Sequence, residues 1–192
     1  MRWPIFAIAA YLAVVLQVGL APHVAVRDIQ PEFMLLLAVF IALSAPIRTA
    51  VIGCGILGLL LDLIASPYPL VQTDPRSPAA ATLIGPYTLG YMAGAYLVVQ
   101  LRPMLFRQHP LTVAAMVLVA GAEIHLVVLG LLWVRHWYEP MQGFIASHQL
   151  IPRALGLLYS AAIGLAFAYP LSWAAPLFGF QTAHPSARTH RG

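Results

Sequence analysis

Long apolar runs alternate with short polar or proline-marked breaks along almost the whole chain. The first run, 3–21, is interrupted only by Gln17, and a polar turn, 22–31 (PHVAVRDIQP), follows it. The next run, 33–45, is short for a crossing, which needs about 20 apolar residues. It becomes a span near 29–45 if Ile29 to Glu32 enter the interface; otherwise it is a re-entrant helix. Pro46, Ile47 and Arg48 reverse the chain into a third run, 49–65. The segment 66–83 carries prolines at 67, 69, 75 and 78, has neither helical nor strand periodicity, and predicts an extended, solvent-exposed loop. A fourth run, 84–101, opens on Gly85-Pro86, where proline suits a first helical turn. The fifth run, 111–133, follows the basic stretch 102–109. After a long loop, 135–153, Pro152 precedes the last run, 154–175.

The pattern therefore predicts an all-α membrane protein, a single bundle of about six transmembrane helices. Residues 1–176 form one polytopic domain, and 177–192 form a basic, disordered cytoplasmic tail. A basic start and an apolar core also fit a secretory signal. The length of the first run and the runs that follow favour an uncleaved span.

Composition supports the membrane as solvent. Of 192 residues, 61% are hydrophobic and 8% charged, and the mean hydropathy is +0.84, which leaves too little polar surface to cover a soluble globule. All ten basic residues are arginine, spread along the chain, so there is no clustered basic face for nucleic acid. Cys54 is the only cysteine, which excludes a disulfide framework and a thiolate metal site. With a cytoplasmic amino terminus, Arg2, Arg48, Arg102, Arg107, Arg188 and Arg191 lie inside, against Arg27, Arg76, Arg135 and Arg153 outside. That bias puts both termini in the cytoplasm and both long loops outside, with Trp133, Trp137 and Tyr138 as interface anchors.

Chemistry concentrates in a few positions. In the third run, Ala50, Cys54, Gly58 and Asp62 fall on one stripe at about 100° per residue, with Gly55 beside it. Small residues let another helix approach, and an acidic side chain in lipid needs protein or water around it, so this stripe should face inward. Gly90 and Gly94 form a G-x-x-x-G pair in the fourth run, and Gly156, Ser160, Gly164 and Ala168 repeat at steps of four in the last. We take Gly55, Gly58, Gly90, Gly94, Gly156 and Gly164 as helix-packing positions. Asp62, Glu123 and His125 are the candidate buried polar or partner-facing residues. Glu123 falls near mid-membrane, where a charge costs about 2.5–3.5 kcal/mol on insertion scales, which calls for a partner, a cavity or a proton. His125 cannot share its face, because two residues turn a helix by about 200°.

Catalytic readings fail on context. The string Gly53-Cys54-Gly55-Ile56-Leu57-Gly58 matches a dinucleotide fingerprint but lacks the preceding strand and the aqueous crevice. An intramembrane aspartyl protease needs two aspartates, and the spans hold only Asp62; a serine type needs a different setting from the YSAA around Ser160. His125, His136 and His148 lack metal-ligand spacing. No catalytic, cofactor or metal site is expected.

Three strings resemble the rod shape-determining protein MreD family. Gln30-Pro31-Glu32-Phe33-Met34-Leu35-Leu36-Leu37 resembles the opening of that family's second span. The segment 55–63 (GILGLLLDL) resembles its glycine-rich third span ending at an aspartate, and 89–94 (LGYMAG) the small-residue string of its fourth. The proline-rich loop up to Leu83 is longer than in the members compared, which bears on any outer-face contact at that edge. The resemblance covers about the first hundred residues; beyond them only hydropathy follows the family. It implies a non-catalytic scaffold of the bacterial cell-elongation machinery in the inner membrane. Its partners would be the single-span protein MreC and, through it, MreB filaments, a peptidoglycan glycosyltransferase and a transpeptidase. The alternative is a substrate-capture subunit of an energy-coupling-factor type vitamin transporter, whose fold the family is thought to share. That reading would give Glu123 and His125 a ligand to hold.

Overall fold

A computed structural model describes residues 2–27, 29–65, 68–69, 80–81, 84–104, 110–138, 146–174 and 176–179. Six α-helices account for most of them: α1 (Trp3–Val15), α2 (Phe33–Ser44), α3 (Ile47–Ile64), α4 (Pro86–Leu101), α5 (Pro110–His136) and α6 (Ala146–Ala174). Four apolar segments are long enough to cross a membrane: Trp3–Leu20, Ile47–Ile64, Leu111–His136 and Leu150–Leu171. The expected 66–83 loop shows a two-residue antiparallel ladder, Tyr68–Pro69 against Ala80–Ala81; its remaining residues lie outside the described ones.

The bundle is organised around its shortest helix. In α2 every residue from Phe33 to Leu43 is buried, and the helix touches all five others. A helix that is apolar all round belongs inside. The run that looked too short to span is thus a central post. Its 12 residues cover only about 18 Å at 1.5 Å each, less than the about 30 Å of a bilayer's apolar layer. Around it α3 packs on α4, α4 on α5 and α5 on α6, while α1 lies mainly against α2.

Glycines set the approach of these helices. A Cβ on Gly58 would stand 2.5 Å from the Tyr87 carbonyl oxygen and 2.7 Å from the Thr88 Cα, so α3 and α4 touch backbone to backbone there. Gly90 and Gly94 face Ile124 of α5, Gly55 faces Met92, and Gly164 faces Leu36. Gly156 has only ordinary contact distance to the Gln30 carbonyl. A glycine absent from the sequence candidates, Gly121, is the tightest on α5, wedged between Leu157 and Leu35.

Two expectations need correction. The 135–153 loop is shorter: α5 runs through Arg135 and His136, α6 already begins at Ala146, and Pro152 lies within its early turns. Arg153 is consequently a helix residue. The amino-terminal run, whose Trp3–Leu20 part is long and apolar enough to cross a membrane as expected, closes on a π-helical turn, Leu16–Leu20, in which the Ala21 N–H donates to the Leu16 carbonyl. Finally, the domain does not end at residue 176: Phe178 is buried against Phe40, with ring centroids 5.5 Å apart, and its carbonyl accepts the Arg2 N–H. Residues 180–192, the rest of the expected tail, lie outside the described ones.

Candidate functional site

A helix leaves its first N–H and last C=O groups without intrahelical partners, and in lipid no water supplies them. Because α2 ends inside the bundle, other helices must serve its termini. The Gln17 Oε1 accepts the Phe33 N–H at 2.8 Å, and its Nε2 donates to the Pro31 carbonyl at 3.3 Å. Ser160 of α6 accepts the Glu32 N–H at 2.8 Å and donates to the Gly156 carbonyl at 2.8 Å. At the opposite end Arg102 donates to the Ala45 carbonyl. The π-helical turn holds Gln17, the one polar interruption of the first apolar run.

Asp62 does the same for α4. Its carboxylate is 1% exposed and accepts the Gly85, Tyr87 and Thr88 N–H groups at 2.9, 3.0 and 2.9 Å, with the Thr88 hydroxyl at 2.7 Å. The turn that aims these donors needs Gly85, whose φ of +130° is open only to glycine at low cost, followed by Pro86 at the first helical position. A negative charge at a helix N-terminus is also favoured by the helix dipole. Small residues leading to an aspartate thus have one physical purpose: Gly58 lets the start of α4 come close enough for Asp62, one turn further on, to cap it.

The start of α2 also anchors a buried ionisable cluster. Glu32 Oε1 lies 3.0 Å from Nε2 of the buried His125 on α5, and Arg153 Nη1 lies 3.2 Å from His125 Nδ1. Since a guanidinium can only donate, Nδ1 is the acceptor and the ring proton sits on Nε2, toward Glu32. That contact is close but not aligned as a hydrogen bond, for Nε2 has no partner of good angle. Arg153 also reaches the Tyr87 hydroxyl, at 3.5 Å. The hydroxyl of the fully buried Tyr91, one turn along α4 from Tyr87, has no hydrogen-bond partner among the described residues. The cluster joins α2, α4, α5 and α6 at one end of the bundle. Glu32 and His125 bring only two metal-ligand side chains together, and no group of three exists among the described residues.

Of the residues singled out in the sequence, Asp62 and His125 are buried and Glu123 is not. Glu123 is half-buried on α5, away from the cluster, and has no hydrogen-bond or ion-pair partner among the described residues. Glu32, Arg153, Gln17 and Ser160 were missed as site residues. The available signal was position: each is a polar residue in or beside an apolar run, where a backbone end has to be satisfied.

The matched part of the chain carries the capped start of α2 and the aspartate of α3. Residues 1–68 match the family model of the rod shape-determining protein MreD. The match is consistent with assignment to the MreD family and includes two of the three strings noted above; the third, 89–94, lies beyond it. No curated protein and no solved structure matches the chain. The four apolar helices fit an integral membrane protein, and the matched family is one of rod shape determination.

Proposed function

We propose that this protein is a non-catalytic scaffold of the cell-elongation machinery in the bacterial inner membrane. In this reading it binds an MreC-like single-span protein and through it links MreB filaments with a peptidoglycan glycosyltransferase and a transpeptidase. The observation that carries the reading is the MreD match over residues 1–68. The site chemistry supports it: Asp62, Gln17 and Ser160 are spent on capping helix ends, which is the work of a rigid frame. In this reading both termini are cytoplasmic, and counting Arg153 with the bundle lowers the outer arginine count from four to three, which favours that orientation.

The test is gentle purification of the tagged protein from its native membrane, followed by mass spectrometry of what accompanies it. Recovery of a single-span protein with a large outer domain, together with wall-synthesis enzymes, is the expected result. Recovery of ATPases with a coupling subunit would overturn it. One observation favours that second reading, a substrate-capture subunit: Tyr91 and His125 each present a buried polar atom without an aligned partner at the same end of the bundle. A small molecule that co-purifies and raises thermal stability would support it, since binding only the folded state must stabilise that state.

A further inference from the structure

Glu123 stands at the midpoint of the 27-residue α5, in a window apolar enough to cross a membrane. Intramembrane carboxylates almost always turn inward or pair. This one does neither: it is half-buried and has no partner among the described residues. Its direction follows from its neighbours. Ile124 and Ala120 face Gly90 and Gly94 of α4, while Gly121 faces Leu35 and Leu157 on the inner side. At about 100° per residue, Glu123 falls on the other side of the α4 contact, on the outward flank. Val119 and Leu126, both exposed, lie beside it, and Gly130, two turns further along the same flank, has nothing within 4 Å of a built Cβ.

We infer that this flank of α5 is the seat of a transmembrane helix from another protein, one that carries a basic or amide side chain near its middle. The hydrocarbon layer is about 30 Å thick, so a carboxylate at its centre is beyond the reach of headgroups and water. Helices are the only open structures that cross lipid, so a donor reaching that depth comes on a helix. The open Gly130 allows such a helix to approach closely. A second copy of this chain is a poorer occupant, because at mid-depth the described outward faces of its helices offer the phenols Tyr11 and Tyr96 and no basic or amide group. The inference adds a docking position to the scaffold reading but does not need the partner to belong to wall synthesis.

The experiment places a photo-crosslinking amino acid at Val119 or Leu126 of the full-length protein in its native membrane, with Leu158 on α6 as the control position. The expected result is an adduct from α5, absent from Leu158, whose captured segment is a transmembrane helix with a central Lys, Arg, His, Asn or Gln. Glu123→Leu, and replacement of that donor by Leu, should each lower the adduct yield about tenfold, as for loss of one interhelical hydrogen bond. Adducts with lipid alone, with a second copy, or with a helix lacking a donor would overturn the inference, as would a yield unchanged by Glu123→Leu. Failure of Glu123→Leu to accumulate would do so too, by revealing a role inside the bundle. Co-purifying wall enzymes without an α5 adduct would sink this inference and leave the scaffold reading standing. An adduct with a donor-bearing helix outside that machinery would do the reverse.

Discussion

Replacing Asp62 by alanine isolates the cap that joins α3 to α4. The carboxylate accepts four hydrogen bonds between 2.7 and 3.0 Å while 1% exposed. A hydrogen bond to a charged group contributes about 1.5–3 kcal/mol, but four such values cannot simply be added, because the donors share one acceptor. Loss of an ordinary N-cap costs about 1–2 kcal/mol, and a buried donor left without an acceptor about 1–3. Asp62 is a cap that is almost fully buried and its removal leaves several donors unsatisfied at once, so we expect about 3–5 kcal/mol for Asp62→Ala. Thr88→Val removes one of the four bonds and should cost about 1 kcal/mol. At roughly 2–4 °C per kcal/mol for a chain of this size, Tm should fall by about 6–20 °C for Asp62→Ala and about 2–4 °C for Thr88→Val. The assay is thermal unfolding of the purified protein in nanodiscs, followed by tryptophan fluorescence. The double variant should be no less stable than Asp62→Ala alone, since the threonine has then lost its acceptor. An Asp62→Ala protein within about 2 °C of the parent, less than 1 kcal/mol on this scale, would refute the argument that this carboxylate holds the start of α4.

Two further outcomes follow from the same geometry. Gly58→Ala should lower stability by about 1–3 kcal/mol, because its Cβ would meet α4 backbone that cannot swing aside, whereas Gly130→Ala, in open space, should be neutral or stabilising by up to about 1 kcal/mol; equal effects in the same unfolding assay would discredit the packing argument. Gln17→Leu should cost about 1–3 kcal/mol by leaving the Phe33 N–H buried without an acceptor, and hydrogen exchange at that amide should accelerate while the amides of mid-α3 do not change.

The contrast between Asp62 and Glu123 shows how far the residues alone could be read. Both are carboxylates within apolar runs, and both were expected to need protein around them. Around Asp62 the sequence holds a phase marker: small residues at steps of three and four point out the face on which another helix can lie. No such stripe runs through Glu123. Helix α5 is apolar on every side, so local hydropathy carries almost no information about which way it turns, and it is His125, two residues on, that the bundle takes inside. The place of Arg153 is hidden for a related reason, since Pro152 has the look of a boundary and α6 instead begins before it.

What the sequence by itself determined was the solvent, the order of the apolar segments and the breaks between them. Each of these depends on the transfer of short stretches of chain between water and hydrocarbon, and that is a local property. Only the tertiary structure decided which faces turn inward, that the shortest helix is the central one, and that Gln17, Ser160, Arg102 and Asp62 satisfy the ends of helices other than their own. In a bilayer the surroundings are as apolar as the core, so hydropathy cannot sort the faces of a helix. That choice falls to glycine clearances and to backbone groups that must find a partner, and both exist only once the helices are side by side.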